Sequence, residues 1–230
     1  MSKRLVIIPA YNEEGNIIKT VTDVQEHAPS FDYIIINDCS TDNTLRICKE
    51  RGYEVLNLPC NMGIGGGVQT GYIYAQRNGY DYAVQFDGDG QHNAAYLEEM
   101  AEKMEDENLD MLIGSRYIKK EGFQSSGARR MGIKYFTGLI KLVTGTTITD
   151  PTSGMRMVGS EVIEMFAKEY PKDYPEPESV VTLLKKGKKV KELPVTMNAR
   201  EEGVSSISPL KAVYYMVKVS LAILIAAVRN

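Results

Sequence analysis

Five short apolar runs, each followed by a segment of helical length, set the tightest limit on how this chain can fold. Residues 5–8, 33–36, 54–58, 82–86 and 111–114 are rich in β-branched, aromatic and aliphatic side chains. Such runs, alternating with helices of about 10–15 residues, form βαβ units and a mainly parallel sheet. Helices are expected up to about residue 27, over 42–51, from near Gly67, and over 95–105. Asn12 is the expected cap of the first helix, with Glu13 and Glu14 in its first turn, and Ser40 the cap of the second. With 230 residues the chain suits one compact domain, and a net charge of −3 gives no overall attraction to nucleic acid. Cys39, Cys48 and Cys60 have neither paired nor metal-type spacing and fit reduced cytosolic thiols. The first strand begins after four residues, which leaves no room for a cleavable leader.

In open α/β sheets, ligands sit beyond the carboxyl ends of the strands. Glu13, Asp38, Asp87 and Asp89 all fall at such ends. Asp87 and Asp89 are separated by one glycine, and two carboxylates that close repel each other unless a cation lies between them. Mg²⁺ or Mn²⁺ takes hard oxygen ligands, typically one or two carboxylates plus substrate phosphates. Gly88 and Gly90 let the backbone approach a ligand, and the Gln91 carbonyl is a candidate third oxygen. A polar turn after a strand is the plainer reading of the same residues. The stretch Gly63-Ile-Gly-Gly-Gly67 is neither a P-loop, lacking Gly-Lys-Ser/Thr, nor a dinucleotide fingerprint, because Val68 stands where the last glycine belongs. It either permits a tight entry into a helix against the sheet or leaves room for a sugar or phosphate.

Pro-Ala-Tyr-Asn-Glu after strand one, Asn-Asp-Cys-Ser after strand two and Asp-Gly-Asp-Gly-Gln after strand four occur here in that order. Together they resemble the family 2 inverting glycosyltransferases, over about residues 4–207. The most similar branch is the polyprenyl-phosphate glycosyltransferases, which include dolichol-phosphate mannose synthases and bacterial enzymes that make glucosyl- or GlcNAc-phospho-undecaprenol. The resemblance implies an A-type glycosyltransferase fold, Rossmann-like, with a helix-flanked, mainly parallel central sheet. It implies that Pro9, Tyr11, Glu13, Ile36 and Asp38 hold base and ribose, and that Asp87, Gly88 and Asp89, with Gln91, hold the diphosphate and its Mg²⁺ or Mn²⁺. Arg116 matches an arginine that faces the phosphates; a surface ion pair is its alternative. Arg200, in Arg-x-x-Gly-x-Ser, matches a loop that closes over the diphosphate and would steady the leaving group.

After Arg116 the alternation stops. A helix over about 128–144 carries Arg130, Lys134 and Lys141 on one face, with Met131, Tyr135, Phe136, Leu139, Leu142 and Val143 around the rest. A basic stripe beside an apolar face suits a helix lying on an anionic membrane, or a partly buried helix with a solvated edge. By resemblance this region receives the lipid phosphate, through Arg129 or Arg130 together with Lys134, Arg116 and Arg200. Asp150 matches an acceptor-side acidic residue. A lipid phosphate monoester is largely dianionic at neutral pH and needs no base, so Asp150 reads as a structural or positioning residue; a hydroxyl acceptor would need a base there or at another carboxylate. Glu178 lies near a further family acidic position. A helix over 177–186 leads to the lysine run 185–191, which is either a solvated helix end or a membrane-surface patch, and then to a strand over 190–197.

The last segment, 212–228, has one charged residue, Lys218, and sits at the lower limit of length for a membrane span. Lys211, Lys218 and Arg229 share one helical face. That stripe favours a helix lying at the membrane interface or packed on a partner. The expectation is thus a catalytic domain over 1–207 and a C-terminal helix over 208–230, peripheral on the cytoplasmic face of a membrane, with a small membrane protein or a second copy as a conceivable partner. The expected reaction is inverting, metal-dependent transfer of glucose, GlcNAc or mannose from a nucleotide sugar, UDP-linked in preference to GDP-linked, to polyprenyl phosphate. The alternatives are a family 2 transferase acting on a sugar hydroxyl and a non-catalytic nucleotide-sugar-binding subunit.

Overall fold

The computed structural model describes residues 2–119, 127–198 and 209–229. Strand β1 (Arg4–Ala10) is the organising strand. Its successive side chains point to opposite faces, Leu5 and Ile7 to one core, Val6 and Ile8 to the other. Both faces are covered, which is why the strands read as near-continuous apolar runs rather than alternating ones.

On either side of β1 lie β2 (Phe31–Asn37) and β4 (Tyr82–Gln85), both parallel to it, and β3 (Val55–Asn57) extends the sheet beyond β2. Beyond β4 come β6 (Arg156–Gly159), β5 (Met111–Ser115) and β7 (Val190–Pro194), giving the order β3-β2-β1-β4-β6-β5-β7. Only β6 is antiparallel to its neighbours. The sheet is therefore mainly parallel, as the alternation of runs requires.

Helices α1 (Ile17–His27) and α4 (Leu97–Asp106) contribute to the core under Val6 and Ile8, α4 after a short 3₁₀ turn (Ala94–Tyr96). Helices α3 (Gly63–Arg77), α6 (Ser160–Lys168) and α7 (Pro175–Lys185) cover the other face, and the short α2 (Thr44–Glu50) lies between β2 and β3 in the chain. Helix α5 (Gly127–Thr144) and helix α8 (Pro209–Arg229) pack on each other, and both pack on α7.

Several boundaries differ from the sequence expectation for physical reasons. Asn12 does not cap α1, which begins five residues later. It adopts a left-handed conformation (φ 57°), and its Oδ1 accepts from Thr41 N–H at 2.8 Å. Ser40 does not cap α2; its hydroxyl accepts from Asn12 N–H at 3.0 Å, while Asp42 accepts from the Thr44 amide at 2.9 Å. Helix α3 starts at Gly63, not near Gly67, so the glycine run forms its first turns. A Cβ on Gly65 would lie 2.3 Å from the carbonyl oxygens of both Pro171 and Lys172, and one on Gly71 would lie 2.2 Å from Ile7. Close packing accounts for these two glycines, whereas Gly63 and Gly67 border the cleft described next.

Candidate active site

A cleft of about 460 Å³ opens where β1, β2 and β4 end. It is lined by Pro9, Tyr11, Glu13, Asp38, Asn61, Ile64, Asp87, Gly88 and Asp89 among others. A cavity of similar size, about 490 Å³, lies at the other end of the strands among Asp81, Glu105, Asp110 and Glu161 and contains none of the sequence motifs.

One wall of the cleft is a pair of loops laced by side chain–backbone hydrogen bonds. Thr44 Oγ1 accepts from Glu13 N–H at 2.8 Å, Glu13 Oε2 accepts from Asn16 Nδ2 at 2.8 Å, and Glu14 Oε2 accepts from Asn43 N–H at 2.9 Å. Asp38 is nearly buried. Its amide donates to Ala10 O at 2.9 Å, and its Oδ1 accepts from Met62 N–H at 2.6 Å, so one carboxylate oxygen ties the entry of α3 to the end of β2. Tyr11 stands half-exposed at the rim.

The floor is the loop after β4. Gly88 N–H donates to Pro9 O at 3.3 Å, and a Cβ at this position would press within 3.0 Å of that oxygen, which is why a glycine separates the two carboxylates. Gly90 takes a left-handed φ of 72°, and Gln91 N–H donates to Asp89 Oδ1 at 3.1 Å. Asp87 is gripped from several sides. Its N–H donates to His92 Nδ1 at 3.0 Å, which leaves the imidazole proton on Nε2, 3.7 Å from Asp87 Oδ2. Gln85 Nε2 donates to Asp87 Oδ1 at 3.0 Å, and a Cβ on Gly154 would come within 2.4 Å of Asp87 Oδ2.

These donors fit a divalent cation of the Mg²⁺ or Mn²⁺ class. Asp87 and Asp89 offer hard oxygens at a solvent-accessible edge, and the nearby imidazole nitrogen is already engaged by a backbone N–H. Among the described residues no group of three His, Cys, Asp or Glu side chains could hold a metal ion by itself. Asp87 and Asp89 would leave the remaining ligand positions of such a cation to substrate phosphates and water. The Gln91 carbonyl accepts from Asn198 N–H at 2.8 Å and so anchors the strand leading out of β7.

Ile36, expected at the cleft, is wholly buried in the core beside Ile34 and Val68 and does not line it. Arg116 lies near enough to Asp87 to feel its charge, but its guanidinium is engaged by Asp150. It is 7 % exposed and forms a fork with Asp150, with Nε at 2.6 Å from Oδ2 and one terminal nitrogen at 2.8 Å from Oδ1. Burial pulls the arginine pKa down, but the Asp150 contact outweighs it and the net shift is upward. Asp150 has no exposed surface and stands here as the buried counter-ion of Arg116. Arg129, Arg130 and Lys134 lie exposed along α5. Arg200 falls outside the described residues.

Sequence reading missed Glu176, in the first turn of α7. Burial raises its pKa, Arg156 opposes the rise, and the charge of Asp87 adds to it. Its peptide carbonyl accepts from the fully buried Arg156 at 2.7 Å. The prolines at 175 and 177 mark the helix start, but no sequence spacing relates residue 176 to residue 87.

The α5–α8 pair also departs from expectation. Lys218 Nζ lies 2.6 Å from Asp173 and Arg229 3.2 Å from Glu169, so these two cations of the C-terminal stripe turn toward the domain. Lys188 pairs with Asp110 and Glu161, and Lys191 with Glu107, so these members of the lysine run knit β7 to its neighbours. No helix among the described residues is long and apolar enough to cross a membrane.

Comparison with known proteins agrees with this architecture. Residues 5–166 match the family model described as glycosyl transferase family 2. An undecaprenyl-phosphate mannosyltransferase of Micrococcus luteus is 27% identical over 213 residues, covering 89% of this chain and 87% of the relative. A UDP-N-acetylglucosamine–dolichyl-phosphate N-acetylglucosaminyltransferase of Methanococcus voltae is 30% identical over 193 residues, covering 74% of this chain and 75% of the relative. Among solved structures, glucosyl-3-phosphoglycerate synthase of Mycobacterium tuberculosis, crystallised with Mn²⁺ and UDP, superposes with a TM-score of 0.74 at 16% identity, covering 98% of this chain and 80% of that one. At that identity the likeness establishes the A-type fold. The chain belongs to glycosyl transferase family 2 and is a nucleotide-sugar-dependent glycosyltransferase.

Proposed function

We propose that this enzyme transfers a hexose from a nucleotide sugar, UDP-linked in preference to GDP-linked, to a polyprenyl phosphate, with inversion at the anomeric carbon. Relatives named for undecaprenyl-phosphate and dolichyl-phosphate acceptors support the reading. The observation that carries it is an amphipathic face built by α5 and α8, both packed on α7. The Tyr215 ring of α8 packs on Tyr174 at the start of α7, with centroids 4.5 Å apart, and on Phe136 of α5 at 5.7 Å. From there α5 presents Arg130, Lys134 and Lys141 beside exposed Met131, Tyr135 and Leu142, and α8 adds exposed Val217, Leu221, Leu224, Ile225 and Val228. Tyr135 and Ser220 hydroxyls meet at 3.2 Å, which joins the two apolar stripes. A lipid could keep its chain in the bilayer under this face while its phosphate reaches the cleft. The chain then sits peripherally on the cytoplasmic face of the membrane.

In this reading the lipid phosphate attacks the anomeric carbon in line, as a dianion that needs no base. Tyr11, Glu13 and Asp38 hold base and ribose. Asp87 and Asp89 would hold Mg²⁺ or Mn²⁺, which when bound would supply positive charge to the leaving nucleotide. Arg200 adds a second positive charge there.

The test is transfer of labelled sugar into organic-extractable lipid, using undecaprenyl phosphate, Mn²⁺ and, in turn, UDP-glucose, UDP-N-acetylglucosamine and GDP-mannose. Metal-dependent label from one donor, abolished by Asp89→Ala, is the expected result. Label retained in Asp89→Ala would remove the metal assignment.

A second reading, a sugar-hydroxyl acceptor, would need a carboxylate base, and Glu176, in the first turn of α7, is a carboxyl whose pKa burial raises. In that case Glu176→Gln would abolish turnover, and the label would enter a water-soluble glycan rather than lipid.

A further inference from the structure

The glycine between the two carboxylates is held at both of its backbone polar groups. Gly88 N–H donates to Pro9 O at 3.3 Å, and Gly88 O accepts from the hydroxyl of Thr20, on α1, at 3.2 Å. The first bond fixes the peptide that follows Asp87, and the second fixes the peptide that leads into Asp89. A glycine has more backbone freedom than any other residue. Without these two bonds the direction of Asp89 relative to Asp87 would be loosely set.

Thr20 departs from a common habit of hydroxyls inside helices, which turn back on the carbonyl four residues earlier. Thr70, Thr144 and Ser220 do so, donating to Gly66 O, Ile140 O and Met216 O at 2.8, 2.7 and 2.6 Å. Thr20 instead reaches a residue 68 positions away in sequence. It is 1% exposed, and Ile17, Val21 and Val24 anchor its helix in the core. Asn16 and Asp23 lie four residues before and three residues after it, on the same side of the helix. Asp23 Oδ2 accepts from Ala94 N–H at 2.8 Å, and Asn16 Nδ2 donates to Glu13 Oε2 at 2.8 Å on the cleft wall. One side of α1 thus meets the loop after β4 near its start and at its end. Gly88 is itself buried, and a buried carbonyl stripped of its donor costs more than the hydrogen bond alone contributes.

We propose that Thr20 is a positioning residue: through the Gly88 carbonyl it sets Asp89 in line with Asp87 so that one cation can be shared. This rests on the reading above of Asp87 and Asp89 as ligands of the donor's cation.

The experiment is calorimetric titration of UDP, with GDP in parallel, into the full chain with and without Mn²⁺, with thermal melting of each variant. In the native protein Mn²⁺ should tighten nucleotide binding. Thr20→Val keeps the shape and removes the donor; it should lose about tenfold of that tightening, with metal-free affinity within about twofold of native. The Mn²⁺ concentration for half-maximal tightening should rise in the same variant. Thr20→Ser keeps the hydroxyl and should retain the tightening. Full tightening in Thr20→Val would overturn the positioning role. So would an equal loss in Thr20→Val and Thr20→Ser, or an equal loss of metal-free and metal-dependent affinity with a lowered Tm. Should Thr20→Val not fold, Thr20→Ala, which also lacks the hydroxyl and favours a helix, carries the same expectation, and full tightening there would overturn the role. Absence of any Mn²⁺ effect on either nucleotide in the native protein would overturn the underlying metal reading, and the proposal with it.

Discussion

Asp150 and Arg116 illustrate how differently one pair of residues reads alone and in company. Each is a buried charged group, and the fork between them uses both carboxylate oxygens and two guanidinium nitrogens. Removing one partner leaves the other buried and uncompensated, at about 3–5 kcal/mol. Asp150→Ala should therefore lower the unfolding free energy by that much, read from the fall in urea midpoint, whereas Asp150→Asn, which still accepts from Nε, should lower it less. An unchanged midpoint for Asp150→Ala would show that the pair does not hold the fold. Gly154→Ala is the complementary case. Its new Cβ would displace Asp87, so turnover should fall at least about a hundredfold while melting shifts by only a few degrees. The Asp87–Gly–Asp89 motif was legible because its residues are adjacent in sequence. His92 and Gly154 were not recognised as its supports, because they reach Asp87 by ring orientation and an absent side chain. Ile36 fails because it lies inside β2, where both faces of the sheet are covered, and the cleft begins only past the strand at Asp38.

At the scale of elements, the strands were legible and the helix starts less so. The first four strands and β5 follow their apolar runs closely, since a strand buried on both faces has to be apolar throughout. Strand β6 escaped because it opens with Arg156, whose charge is satisfied by carbonyls that no local pattern reveals. Helix α3 shows why its glycines are needed: Gly65 lets the helix lie against the Pro171–Lys172 backbone. Gly65→Ala should push these apart and destabilise the protein by about 1–3 kcal/mol, a loss of several degrees in Tm. A melt indistinguishable from the parent would mean that the 171–172 segment yields instead.

For the whole molecule, the exposed apolar stripe shared by α5 and α8 is the feature with the largest consequence. Leu142 is 81% exposed and Val228 86% exposed, and Arg130, Lys134 and Lys141 run along the same side of α5. Burying a side chain of this kind contributes about 1.5–3 kcal/mol. Leu142→Asp and Val228→Asp should each weaken flotation with vesicles containing anionic lipid by about tenfold or more, with Tm unchanged because both face outward. Unaltered flotation, with an oligomer that dissociates in the variants, would assign the face to a second copy of the chain.

By itself, the sequence determined the class of fold, the order of its strands along the chain and the acidic groups at their carboxyl ends. These depend on local periodicity and on residues a few positions apart, where backbone geometry alone dictates direction. Only the tertiary structure decided which charges are spent on one another. Asp150 neutralises Arg116, and Lys218 and Arg229 meet Asp173 and Glu169. Those pairings join residues tens of positions apart, and the desolvation that makes the buried Arg116–Asp150 fork strong exists only once the chain has closed around it.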